Sequence, residues 1–185
     1  MHTKEELYSN KIFFNAALPL VKVIANDVPS LKKQFAHVHA IIQVSAKDPD
    51  APGGKVGMHF VVNSDEWLVH LNKVDPNPHV ELEFKSVEAM NAFFKGKMSP
   101  ATLPKMKGVV THFGAFKAFL MTLLKMSSLL GATEAPKDEA TKELMVKCFF
   151  YLLSSGISQL NKMGHEDIHD WTSKSPDRGY AWEVD

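Results

Sequence analysis

The chain has one cysteine, Cys148, in 185 residues. A single thiol cannot close an internal disulfide, so cohesion has to come from burial, and a reducing compartment is the simplest expectation. Cys148 stands in the apolar run Cys148-Phe149-Phe150-Tyr151-Leu152-Leu153. A thiol in such a run behaves as a small hydrophobe, and neither a helix N-terminus nor a dense basic cluster is expected there to hold a thiolate. Excess charge is also missing, since 21 basic residues balance 21 acidic ones. That excludes the broad basic footprint of a nucleic-acid binder. It also excludes strong general attraction to anionic membranes, leaving room only for a local patch.

Long hydrophobic runs are absent. No stretch reaches the ~18 uninterrupted apolar residues of a spanning helix. The opening Met1-His2-Thr3-Lys4-Glu5-Glu6 places two acids early, and Asn15 and Pro19 interrupt the apolar residues after Ile12. A secretory signal is therefore not expected. Nor does Trp182-Glu183-Val184-Asp185 form a common retrieval or peroxisomal address, so the expected location is the cytoplasm. There is no Gly-x-Ser-x-Gly elbow, phosphate loop or dinucleotide fingerprint, and no cofactor is expected.

What is present is a globular composition, 45% hydrophobic, at a length that buries roughly 70% of its unfolded surface. Thr3 and Glu6 form a capping box that predicts a helix start, with Pro19 breaking or kinking the helical stretch. A second helical stretch leads to Pro29-Ser30 and the segment 31–35. The pattern then changes to strands at 38–44, 56–62, 67–74 and 80–84. A Pro/Gly-rich loop at 47–54 separates the first two, and turns at 63–65 and 75–78 follow. In the fourth run Val80, Leu82 and Phe84 alternate with Glu81 and Glu83, predicting apolar residues inside and acidic residues in water. Ser86 caps a helix that Gly96 ends. Ser99-Pro100 opens a short helical turn. Residues 109–113 read as a fifth strand, 114–130 as a long helix ended by Gly131, and 139–163 as a last helix. The tail from His165 is polar and acidic but carries Trp171, Tyr180 and Trp182.

The helix at 114–130 carries the functional signal. Lys117, Met121, Lys125 and Ser128 fall on one side, while Phe116, Phe119, Leu120, Leu123, Leu124 and Leu130 fill an arc wider than covering a sheet requires. Such a stripe is more often plain core than a ligand wall. Nine methionines, among them Met90, Met98, Met106, Met121 and Met126, would let an apolar interior adapt to varied shapes or simply fill it.

Several short motifs follow one another in a telling order. Val80-Glu-Leu-Glu-Phe-Lys-Ser precedes Val87-Glu-Ala-Met-Asn-Ala-Phe-Phe-Lys-Gly-Lys-Met-Ser-Pro, and then come Lys107-Gly-Val-Val-Thr-His-Phe-Gly and the apolar helix. This order resembles the sterol carrier protein family. Gly96-Lys97-Met98, Pro100, Gly108 and Gly114 sit where that pattern has its glycines, lysine and proline, and Trp67 resembles the tryptophan that opens an earlier strand. The likeness spans residues 36–130, about half the chain. It implies an α+β fold: a mainly antiparallel five-stranded sheet with helices on one face enclosing an apolar tunnel. It also implies non-enzymatic binding of sterols, fatty acyl chains or phospholipids. Thr111 and His112 depart from the family's usual lysine and aliphatic residue, so His112 puts a polar group near the expected tunnel. The wall expected on this likeness comprises Trp67, Leu82, Phe94, Met98, Phe116, Phe119, Leu120, Leu123 and Leu124.

The expected organisation is a lipid-binding domain over 1–130, including the N-terminal helices, and a C-terminal helical extension with an acidic tail over 131–185. The last helix could cap the cavity, dimerise or recruit a partner, so a homodimer stays open. The expected partner is a lipid or other apolar small molecule, with transient contact at a membrane surface and no nucleic acid. Lys95, Lys97, Lys105 and Lys107 are the densest basic group and could meet headgroups, though a solvated face is the plainer reading. The 114–130 helix is too short to span a bilayer and is expected either to act as a mobile gate or to be rigid core. Two alternatives remain. One is an assembly subunit whose apolar helices pack on a partner. The other, more distant, is a zinc hydrolase using His165-Glu166-Asp167-Ile168-His169, whose histidine spacing matches a helical zinc site. Gly164 directly before that string argues for a helix end there, and catalysis is not expected.

Overall fold

A computed structural model gives the architecture and describes residues 14, 17–94, 97–130, 134 and 136–162. The capping box at Thr3, Gly96, Gly131 and the His165–His169 string lie outside the described residues. The elements, in order, are α1 Leu20–Asp27, α2 Pro29–Phe35, β1 His39–Lys47, β2 Lys55–Asn63, β3 Glu66–His70, β4 Val80–Phe84, α3 Val87–Phe94, β5 Lys105–Lys107, α4 Phe113–Leu130 and α5 Glu139–Lys162. The strands form one sheet in the order β3-β2-β1-β4-β5.

Local chemistry explains most boundaries. Pro19 precedes α1 directly, and Pro29 opens α2 at a position where a missing N–H costs nothing. The Ser86 hydroxyl accepts a hydrogen bond from the Ala89 N–H at 3.1 Å and starts α3 as expected. Asp138 does the same for α5, accepting from the Thr141 N–H at 2.8 Å. Between β1 and β2 the chain turns through Pro52–Gly54, with Gly53 and Gly54 at positive φ.

The sheet is α+β in setting and mainly antiparallel, but it is mixed. β1 pairs antiparallel with β2, β2 with β3 and β4 with β5, whereas β1 and β4 run parallel. Short turns between the middle strands favour antiparallel neighbours, and β3 to β4 is where this does not hold. Residues 71–79 do not fold back to pair those strands. They cross the sheet and deliver β4 to the far side of β1. The Gln43 side chain anchors the crossing, accepting from the Asp75 N–H at 2.7 Å and donating to the Asp75 carbonyl at 3.3 Å. The His59 Nδ1 donates to the Lys73 carbonyl at 2.8 Å.

A second correction concerns β5. Residues 109–113 do not form a strand. The fifth strand is Lys105–Lys107, registered on β4 by Glu81 opposite Lys107 and Leu82 opposite Met106. Gly108, at φ +77, ends it. The next residues turn, with the His112 N–H reaching the Gly108 carbonyl at 2.9 Å, and α4 begins. β-branched Val109, Val110 and Thr111 favour extension, but the tertiary ladder already stops at Lys107.

Period-two alternation sorts the faces. Ile42, Val44, Met58, Phe60, Trp67, Val80, Leu82 and Phe84 are buried toward the helices. α4 packs chiefly on α1 and α2 with a smaller contact on β1, α3 lies on β1 and β4, and α5 rests on α1. A Lys147–Asp27 ion pair at 2.6 Å ties α5 to α1.

The opposite face of the sheet is not the wet surface that Glu81 and Glu83 predict. Both acids are buried. The Glu81 carboxylate accepts from Gln43 Nε2 at 2.9 Å, Ser45 Oγ at 2.6 Å, Lys55 Nζ at 2.9 Å and Lys107 Nζ at 2.8 Å. Glu83 accepts from Lys107 at 3.2 Å and pairs with Lys55. Burial alone would push Glu81 up. The hydrogen bonds from Lys107, Ser45, Gln43 and Lys55 overcome it and hold the carboxyl at about 2. Lys55 hydrogen-bonding likewise lowers Glu83.

Two outcomes are expected. Because Glu81 releases its proton more readily folded than unfolded, its contribution is complete above its unfolded pKa, near 4.3, and is lost as pH falls toward about 2. Thermal unfolding across that window should show a steep acid limb. Glu81→Gln should flatten it and cost roughly 1–3 kcal/mol at neutral pH. At Gly108 a Cβ would stand 1.8 Å from the His79 carbonyl oxygen. Gly108→Ala should therefore cost at least about 1 kcal/mol in denaturant titration.

Candidate functional site

The space between the sheet and the helical layer is where a ligand wall is expected, and the structure brings aromatic side chains together there. Trp67 on β3 packs edge-on against Phe35 of α2 at 4.8 Å and against Phe60 of β2 at 5.4 Å. Phe60 in turn meets Phe119 of α4 at 6.2 Å. Toward the other edge, Phe84 of β4 contacts Phe93 and Phe94 of α3 at 5.4 and 5.6 Å. Edge-to-face rings at these separations pack favourably beyond their burial.

Three polar groups at this layer find partners close by. Trp67 Nε1 donates to the Ser64 carbonyl at 3.1 Å, which fixes the indole at the start of its strand. Lys22 Nζ donates to the Trp67 carbonyl at 2.9 Å, and burial lowers the pKa of that lysine. Thr122 is fully buried on α4, yet its hydroxyl turns back to the Ala118 carbonyl at 2.8 Å. This layer presents mainly carbon and rings, with one buried amide: the Asn91 Nδ2 of α3 has no hydrogen-bond partner among the described residues.

Of the nine residues expected in the wall, Trp67, Leu82, Phe116, Phe119 and Leu123 are buried toward the interior. Phe94 is partly buried beside Phe84. Leu120 and Leu124 are exposed on α4, and Met98 is 70% exposed in the segment before β5. The helix period sets the split. At 100° per residue, turning Phe116, Phe119 and Leu123 inward carries Leu120 and Leu124 about 70° and 110° round the helix from the centre of that face, onto its exposed flank. Phe35, Phe60, Phe84 and Phe93 belong to the same aromatic layer and were absent from the expected wall. Phe60 shares a strand face with Met58 and Val62, and that alternation alone marks it as inward.

His112 does not enter the interior. It sits at the turn before α4, where its ring meets His79 edge-on at 4.9 Å. His79 Nδ1 accepts from the Ile41 N–H at 2.9 Å, so the pair marks the start of β4. Cys148 is buried, and burial pushes its thiol up to about 11 with Asp27 adding to the effect, so it stays protonated at neutral pH. Among the described residues no group of three His, Cys, Asp or Glu side chains is placed to hold a metal ion. No helix among them is long and apolar enough to cross a membrane.

No family model and no curated protein matches the chain. Two solved structures are similar to it. A crystal structure of sterol carrier protein 2 is 11% identical with a TM-score of 0.42, over 70% of this chain and 97% of that one. The solution structure of a conserved hypothetical protein from Thermus thermophilus is 10% identical with a TM-score of 0.37, over 78% of this chain and 90% of that one.

The inward and outward faces of α4 differ enough to measure. Phe119→Ala should cost about 3–5 kcal/mol, as truncation of a buried ring does. Leu120→Ala should stay within about 0.5 kcal/mol, as surface changes do. Urea titration of the two variants checks the assignment.

Proposed function

We propose that this chain binds an apolar ligand, a lipid, fatty acyl chain or sterol-like molecule, between the inner face of the sheet and α4, and moves it between membranes without covalent chemistry. One observation carries the reading: the two layers meet through Trp67, Phe60, Phe119, Leu82 and Leu123, and the buried Thr122 hydroxyl on α4 is spent on its own backbone. A ligand entering that layer would find apolar contact and no unpaired polar demand from Thr122. Rings and branched chains suit hydrocarbon, which such a wall holds by burial and shape. In this reading residues 1–130 form the lipid-binding unit. Residues 131–185 are an extension, with α5 anchored on α1 and the tail packing on that unit, and the protein works in the cytoplasm. Leu120, Leu124 and Met98 join the ligand contacts only if α4 and the segment before β5 move.

A second reading, an assembly subunit, is favoured by the outer side of α5. Val146, Phe149 and Phe150 are exposed there at 54%, 61% and 47%. Native mass spectrometry after gentle purification separates the two. A co-purified lipid supports the carrier, and a stoichiometric ligand-free oligomer supports the subunit.

Adding bulk at Leu123 tests the placement. Leu123→Trp should block uptake of a fluorescent fatty acid while the protein still unfolds cooperatively. If the variant instead loses the roughly 1–3 kcal/mol of an overpacked core and binds the probe like wild type, the ligand does not sit against α4.

A further inference from the structure

α4 carries apolar residues on its outward side as well. Phe113 is 60% exposed, Leu124 56%, Met121 43% and Leu120 37%, and Val110 in the turn just before the helix is 91% exposed. At 100° per residue, Phe113, Lys117, Leu120, Met121 and Leu124 share one arc of roughly 100° on the helix, with Lys117 in their midst. A single exposed leucine needs no explanation, but a stripe along one helix does.

The charge along the chain is as uneven as the exposure. The molecule is neutral in total, yet residues 89–133 contain no aspartate or glutamate and six lysines, Lys95, Lys97, Lys105, Lys107, Lys117 and Lys125, of which Lys107 is held by Glu81 and Glu83. The exposed apolar stripe of α4 lies inside this acid-free stretch. The exposed apolar group on α5, Val146, Phe149 and Phe150, does not: Glu139 and Glu143 precede it on the same helix and alternate with Lys142 and Lys147.

We infer that the outward face of α4, with Val110 at its leading turn, is a docking surface for an anionic lipid bilayer. The helix lies in the plane of the interface, the Phe, Leu and Met side chains enter the acyl boundary, and Lys117 stays at the level of the lipid phosphates. An interfacial helix of this kind has an apolar side and lysine that reaches the headgroups. Its 18 residues are enough to lie on the surface and too few to cross it comfortably. A second copy of the chain is the poorer occupant, because pairing two α4 stripes would bury Lys117 of each in a dry, like-charged interface. Docking on a bilayer holds whether or not the interior takes a ligand, so it does not depend on the carrier reading.

The test is co-sedimentation of the full chain with phosphatidylcholine vesicles made with and without phosphatidylserine, at low and high salt. Binding is expected to the serine-containing vesicles and to fall as salt rises. Leu124→Glu should abolish it. Lys117→Glu should weaken it roughly tenfold, the scale set by reversing one charge near an anionic surface. Both positions are solvent-exposed, so unchanged thermal unfolding shows that the variants are folded. If Leu124→Glu does unfold the protein, Phe113→Ser, on the same stripe and also exposed, takes its place. Val146→Glu on α5 should leave binding unchanged. Equal binding to both vesicle types, binding to neither, or full binding by both Leu124→Glu and Phe113→Ser overturns the assignment. So does a concentration-dependent dimer that Leu124→Glu dissolves in the absence of vesicle binding, which would give the face to a second copy.

Discussion

The Glu81 carboxylate organises the sheet. Its two oxygens collect donors from three other strands: Gln43 and Ser45 on β1, Lys55 on β2 and Lys107 on β5. A buried carboxylate without those donors would cost several kcal/mol or take up a proton. With them it is held ionised and in one place. Gln43 extends the network to Asp75, so the crossing segment that delivers β4 is tied to the strand that β4 must join. A parallel neighbour inserted by a long crossing has no tight turn to set its register. Here the side-chain network does that work.

The inner face follows from the outer one. Residues alternate along β4, so locking Glu81 and Glu83 on one side turns Val80, Leu82 and Phe84 to the other. A slip of one residue would exchange the two sets, putting carboxylates among the phenylalanines and leucine against the lysines. The aromatic layer where Phe84 meets Phe93 and Phe94 therefore depends on charges that never touch it. The same holds for β5. Lys105 and Lys107 have little strand propensity, and their pairing with the acidic face makes a strand of three residues that the sequence around them does not favour.

How much of this was legible in the sequence depends on the range of the interaction. Four strands could be read from alternation, and α3 from Ser86, because those signals lie within a few residues of their effects. The burial of Glu81 could not, since Lys55 and Lys107 each lie 26 residues away and Ser45 lies 36 away. An acidic residue beside an apolar one reads as exposed until its partners are placed. The parallel β1–β4 pair was hidden for the same reason, and the strand at 109–113 was misplaced because local β-branching outvoted a ladder that exists only in the assembled sheet. The burial of Trp67, Leu82, Phe116, Phe119 and Leu123 could be read from spacing. Leu120 and Leu124 were indistinguishable from them, because a helix that is apolar nearly all round does not say which half faces in.

That ambiguity is a physical property of α4. A helix in a two-layer fold needs one apolar side to cover its sheet, and a second exposed apolar side brings a solvation penalty with no packing return. α4 carries both, and its footing is mainly on α1 and α2, with a smaller one on the sheet. Its inner side meets the ring of Phe60 on β2 through Phe119, while Phe113, Leu120, Met121 and Leu124 stand exposed. The outer side lies in a stretch of sequence without acid, so no carboxylate of α4 itself opposes an anionic surface. If that side is covered by lipid, the penalty vanishes at the moment of contact. The inner wall then lies one helix diameter, about 10 Å, from the bilayer. Hydrocarbon would have to pass only around the helix edge, between two apolar environments, and the helix would not need to unfold or expose a charge.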